Sequence, residues 1–269
     1  MMEVMKRPPV IFLGIVFCAG LISYFFSNES VSENLQKAEQ FYETGERAPT
    51  VAARENAFNQ ALTTYLELEK QLDPDYSNGM LYYNIGNTYF QLNEIPLAIY
   101  YYYKALSLNP GNRKIQFNLG VSLRKLGDDY HQERGAFDYL FFFHSFFSLP
   151  SRLQLLFWCL VLSFIAGSYA IWKHSSVARI TAWVLAAVGG LFFLSALYTQ
   201  FIQTPEGVVI QSGMLHRDAG KQYAEVRSEP VASGSKVSVL AVKADGKWVK
   251  IRTESGDVGY IPSEKLKVI

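Results

Sequence analysis

The chain has 269 residues, room for about two domains, and a formal net charge of +1. That balance excludes a general attraction to polyanions such as nucleic acid, and no basic patch interleaved with aromatics occurs. Its two cysteines, Cys18 and Cys159, lie in apolar runs without the CxxC spacing of a zinc or redox site, so they define neither a disulfide framework nor a metal site.

Residues 1–29 read as a signal peptide or a signal anchor. Lys6 and Arg7 precede an apolar run from Val10 to Phe26, which ends at Ser27-Asn28-Glu29. Cleavage at Cys18-Ala19-Gly20 would leave the apolar stretch Leu21 to Phe26 as the new terminus, which favours the anchor. Bulky Phe17 before Cys18 weighs against a lipoprotein. Either form places the next part of the chain beyond the membrane.

Residues 31–127 carry helical periodicity in about two and a half units. In the first, Ala38 and Phe41 precede Gly45, and the pattern resumes at Ala61, Tyr65 and Leu68 before closing near Asp73-Pro74. Extra residues around Arg47 to Ala57 lengthen its second helix. The stretch from Gly79 to Asn112 is the clearest. Tyr82, Ile85, Gly86 and Tyr89 form the packing face of one helix, Ala98, Tyr102 and Ala105 that of the next, and Pro110 closes the unit. Gly86 and Ala98 are small enough for close helix approach, and Pro96 falls in a first turn, where its missing N–H costs nothing. In length and residue spacing the stretch resembles a tetratricopeptide (TPR) unit. Gly120 and Leu123 stand to Gly127 as in a further half unit.

TPR arrays hold a partner's peptide or helix in a concave groove lined by their first helices. On that face stand Tyr83, Asn84, Asn87 and Gln91, followed by Lys114 and Asn118 in the next helix. Asparagines and a lysine suit a peptide backbone and a carboxylate, although a solvated polar face would look the same. Tyr100-Tyr101-Tyr102-Tyr103 covers every side of its helix, so at least one of these rings must be exposed or at a contact.

Residues 128–151 form an aromatic interfacial segment. Phe137 to Leu149 holds six phenylalanines, is too short to span a bilayer, and has the ring content of a membrane interface. Ser148-Leu149-Pro150-Ser151 then starts a helix. Residues 152–198 read as a transmembrane helical hairpin, with spans from Leu153 to Trp172 and from Val177 to Tyr198. The link Lys173-His174-Ser175-Ser176 and Arg179 carry the local positive charge, which keeps the tip in the cytoplasm. Lys6 and Arg7 place the amino terminus on the same side. With an anchor at the start, the chain crosses three times, and both flanking regions share the outer side. Neither span has an ionisable residue in its middle, so the hairpin reads as an anchor, not a transport path.

Residues 204–269 change to period two. Val237, Val239 and Ala241 alternate along one run, Asp245-Gly246 marks a hairpin turn, and Trp248, Val249 and Ile251 begin the next. The run from Asp245 to Leu266 resembles the end of bacterial SH3 domains, which implies a small five-stranded barrel. Its stretch from Gly220 to Ser233 is expected as an enlarged loop. Trp248 and Tyr260 are the candidate ligand-binding aromatics.

The four histidines are scattered (His131, His144, His174, His216), and no phosphate loop, G-x-S-x-G elbow or H-E-x-x-H helix occurs. Asp128-Asp129 and Glu133 fit a solvated turn. The sequence therefore offers no catalytic residue, no metal site and no cofactor. The expected fold class is a multidomain membrane protein with an all-α TPR array, a transmembrane helical hairpin and an all-β SH3-like small barrel. That order resembles the BatE-type membrane proteins of bacterial aerotolerance operons. The residues carrying the resemblance are the TPR positions, Phe143-His144-Ser145 with Ser148 to Ser151, and Trp248 with Gly259-Tyr260. It implies a multi-pass inner-membrane scaffold with its TPR and SH3-like regions in the periplasm. The implied partners are von Willebrand A-domain membrane proteins and a MoxR-type ATPase. A membrane-anchored module binding peptidoglycan is the alternative function.

Overall fold

A computed structural model describes residues 31–72, 79–127, 143, 146–201, 203–243 and 246–269. The signal or anchor segment and most of the aromatic segment lie outside them, as do His131, His144, Asp128, Asp129, Glu133 and Asp245. The chain divides into two compact units, Met1–Leu72 and Asp73–Ile269.

The first unit contains α1 (31–47) and α2 (Val51–Gln71). Thr50 begins α2 by accepting the Ala53 N–H at 3.2 Å, which satisfies one of the free donors of the first turn. Ala57, Phe58, Ala61, Tyr65 and Leu68 are buried along one face of this 21-residue helix. Gly45 admits no side chain, because a Cβ there would lie 2.8 Å from the Phe58 ring.

The second unit opens with α3 (Met80–Gln91), α4 (Ile95–Leu108) and α5 (Arg113–Lys125). A Cβ on Gly86 would lie 2.8 Å from the Tyr102 ring, so the missing side chain is what lets α3 and α4 close together. Pro96 sits in the first turn of α4. Asn112 caps α5, its side-chain oxygen accepting from Lys114 N at 3.0 Å and Ile115 N at 3.4 Å. Tyr82, Ile85, Ile99, Tyr102, Ile115 and Leu119 are the large side chains fully buried on these three helices.

Then come α6 (Leu149–Lys173) and α7 (Ser176–Phe201), capped by Ser148 and turned at His174 in the left-handed conformation, φ 50°. They pack side by side. Ser163 Oγ donates to the Ala182 carbonyl at 2.9 Å, and Gly189 faces the Cβ of Cys159. At the open end Arg152, only 4 % exposed, donates to Ser195 Oγ at 2.7 Å and to the Ser195 carbonyl at 3.1 Å. The helices have 25 and 26 residues, and an 18-residue stretch of each reaches a mean hydropathy of 1.9 and 2.1, respectively. At 1.5 Å per residue each exceeds the ~30 Å of a bilayer's hydrocarbon, so both are long and apolar enough to cross a membrane. Large apolar side chains stand exposed along them, among them Phe164, Ile171 and Trp183.

The carboxy-terminal part is an antiparallel sheet of β1 (Glu206–Val209), β2 (Lys236–Val242), β3 (Trp248–Arg252), β4 (Val258–Pro262) and β5 (Leu266–Val268), in the order β4-β3-β2-β1-β5. It is open: β4 and β5 are its two edges and do not pair with each other, where the sequence leads to an expected closed barrel. The residues between β1 and β2 fold back instead of forming a plain loop. They bridge Gly213 to Val231 and His216 to both Glu225 and Tyr260, so the flank of β4 meets this excursion. Leu215 and Val231 enter the core with Val237, Val239, Val249, Ile251 and Ile261. A single 3-10 turn, Ser263–Lys265, joins β4 to β5.

Within the second unit, α4 lies against this sheet. The Tyr100 hydroxyl donates to the Val268 carbonyl at 3.3 Å, and Lys267 Nζ stands 5.4 Å from the same ring. Lys236 Nζ lies 5.0 Å from the Tyr103 ring, and a Cβ on Gly234 would run into the side chains of Leu126 and Ile99. The run of tyrosines is thereby accounted for: Tyr100, Tyr101 and Tyr102 are buried and Tyr103 is half-buried.

Candidate partner-binding surfaces

The helical surface is built where α3 and α5 run beside one another. Asn118 Nδ2 donates to Asn87 Oδ1 at 2.8 Å and to the Tyr83 hydroxyl at 3.2 Å. The Tyr102 hydroxyl also donates to Asn87 Oδ1, at 2.8 Å. Three of the sequence-nominated residues, Tyr83, Asn87 and Asn118, therefore form one network, and all three are half-buried. Asn84 lies one turn before Asn87, its carbonyl accepting from Thr88 Oγ1 at 2.8 Å while its side chain is half-exposed. Lys114 and Gln91 are exposed at opposite ends of this strip.

Sequence reasoning passes over three contributors. Tyr102 reaches the network from α4. Lys125 Nζ donates to Asn93 Oδ1 at 2.8 Å and stands 5.1 Å from the Phe90 ring, a second tie between the α3 end and α5. The spacing of Asn93 and Lys125, close to one repeat, is the signal that could have found it. Residues 79–127 hold five Lys or Arg and a single acid, Glu94. Four of the cations, Arg113, Lys114, Arg124 and Lys125, lie on α5, so the surface is electropositive although the whole chain is nearly neutral.

On the sheet, Val249, Ile251 and Ile261 point into the core, so Trp248, Lys250, Tyr260 and Pro262 share the opposite face. Trp248 and Tyr260 are diagonal neighbours there and both are half-buried. The His216 ring meets Trp248 edge-on at 5.6 Å and is held by its Nδ1, 3.0 Å from the Tyr223 carbonyl oxygen. Lys243 and Lys250 stand 5.2 and 5.8 Å from the Tyr260 ring. Asp218 pairs with Lys243 at 3.3 Å. The Ala219 N–H and then Lys243 hold its carboxyl below the usual carboxylate range, and Asp218 in turn raises Lys243. Among the described residues, no group of three or more His, Cys, Asp or Glu could hold a metal ion.

Residues 80–112, which span α3, α4 and the turn into α5, match the family model of the tetratricopeptide repeat. No curated protein matches the chain. The chain thus contains a TPR repeat, a class of motif that generally mediates protein–protein interaction.

Proposed function

We propose that the protein is a membrane-anchored scaffold that binds protein partners through its TPR surface and an SH3-like carboxy-terminal domain. The observation that carries this reading is the TPR repeat at 80–112, which bears half-exposed Asn84, with exposed Lys114 beside it on α5 in an electropositive strip. Such a surface suits a peptide that presents backbone amides and carboxylates. Anchoring is supported by α6 and α7, whose exposed apolar sides need lipid to cover them. The cationic link at Lys173 and Arg179 supports a tip held in the cytoplasm, and with it the periplasmic placement of both flanking regions. The SH3-like reading draws on the five-stranded sheet, its 3-10 turn and the Trp248–Tyr260 face. The order of parts favours a BatE-type role in an aerotolerance or envelope-stress complex, with no catalysis by this chain.

The test is affinity purification of the full chain from gently solubilised membranes. Asn84→Ala and Lys114→Ala should each deplete the same co-purifying protein while leaving the yield unchanged. Identical protein partners from wild type and both variants would overturn the reading.

A further inference from the structure

The hairpin tip contains a feature that anchoring does not require. Between α6 and α7 a cleft of about 560 Å³ opens at the tip, within the range of small-molecule sites. Its floor is small: Gly167 and Ala170 from α6 face Ala182 and Ala186 from α7. Ile171 and Trp183 rise on either rim, 79 % and 73 % exposed. His174 and Arg179 stand at its mouth, with Lys173 adjacent. Ser163 ends the cleft, its hydroxyl already donated to the Ala182 carbonyl.

Two observations identify the occupant. The first is charge: no Asp or Glu occurs between Asp138 and Glu206, so the cations at the mouth have no acid in the hairpin to neutralise them. The second is length. From His174 to Ser163 the helix rises about 16 Å, close to the ~15 Å hydrocarbon depth of one leaflet. An apolar cleft within a bilayer holds no water, and leaving it empty forfeits the dispersion contacts of its lining. A chain with an anionic head satisfies both ends.

We propose that this cleft binds one anionic phospholipid of the leaflet that holds the hairpin tip. The phosphate meets the Arg179 guanidinium, whose planar fork suits a phosphodiester, with His174 beside it. One acyl chain lies over Gly167, Ala170 and Ala182 between the Ile171 and Trp183 rims. Basic pockets between membrane helices select anionic head groups in this way. The inference rests on the reading of α6 and α7 as a membrane hairpin.

The experiment uses the full chain in bilayers of phosphatidylcholine containing a minor fraction of phosphatidylglycerol, each lipid spin-labelled in turn. Resistance of the chain to carbonate extraction is measured first, and extraction there would sink the hairpin reading itself. With the chain embedded, the motionally restricted lipid should favour phosphatidylglycerol. Arg179→Gln should reduce that preference about fivefold, the effect of one cation near the surface. Ala170→Leu, which fills the cleft and leaves every charge in place, should reduce it as well. Loss with Arg179→Gln but not with Ala170→Leu would mean attraction to a basic tip alone and would overturn the site. So would an embedded wild-type chain with no preference, or no change in either variant.

Discussion

The side-chain amide of Asn118 donates to the side-chain oxygen of Asn87 at 2.8 Å, tying α5 to the first helix of the TPR repeat. Because Asn118 also serves Tyr83, and Asn87 also accepts from Tyr102, this pair is structural before it is a binding element. Asn118→Ala should destabilise the fold by about 1–3 kcal/mol, since it strips a donor from two half-buried acceptors. Asn84→Ala should leave the melting temperature within about a degree of wild type, as for surface changes within ±0.5 kcal/mol, and lose partner capture. Thermal unfolding beside affinity purification separates the two. Equal melting temperatures for both variants would refute the division.

The contact between α4 and the sheet gives a second expectation. Tyr100→Phe removes the hydrogen bond to Val268 and should cost about 1 kcal/mol. Gly234→Ala should cost more, because Gly234 has φ 88° and any Cβ would enter the Leu126 side chain. Hydrogen exchange read over residues 95–108 and 234–269 should quicken in both variants, more in the second. Unchanged exchange in Gly234→Ala would show that the contact contributes nothing.

Arg152 and Ser195 close the open end of the hairpin. Ser195→Ala deletes the acceptor at 2.7 Å from a buried guanidinium and should weaken the hairpin by about 1–3 kcal/mol. Denaturant titration of the detergent-solubilised chain in a Trp248→Phe background, followed by the emission of the three hairpin tryptophans, Trp158, Trp172 and Trp183, is the measurement. A transition that coincides with wild type would refute this.

Asp218 should impart a small pH dependence. Its folded pKa is depressed, first by the Ala219 N–H and then by Lys243, so its contribution is present above the ordinary carboxylate value. It is lost as pH falls through the lowered one. Lys243, raised by the same partner, contributes through neutral pH and loses that contribution only at strongly alkaline pH. The acid limb of a stability profile below about pH 4 should flatten in Asp218→Asn, and an unaltered limb would count against the pairing.

The helical part was legible from sequence where chemistry is local. Gly86 and Ala98 mark close packing whatever surrounds them, and Ser148 with Pro150 marks the start of α6. The Trp248–Tyr260 face follows from alternation alone. Other features depend on which segments meet across the chain. Alternation shows which residues point inward but not whether a sheet closes, so its open edges were hidden. The Asn87–Asn118 bond depends on the register of two helices, which a polar stripe does not reveal. The tyrosine run demands a contact without naming Val268, 168 residues away. Arg152 was passed over because the apolar span is counted from Leu153, and its partner lies 43 residues further on.

An open sheet leaves β5 with one side bare. Ile269 N and the Lys265 carbonyl bond toward β1, so Val268, out of phase with them, turns its carbonyl outward. Such a row of idle backbone groups is a template on which a second molecule can add a strand and begin an aggregate. The Tyr100 hydroxyl occupies that carbonyl, and the flank of a helix stands where an incoming strand would have to lie. The helical repeat thereby covers a strand edge that its neighbouring sheet leaves open.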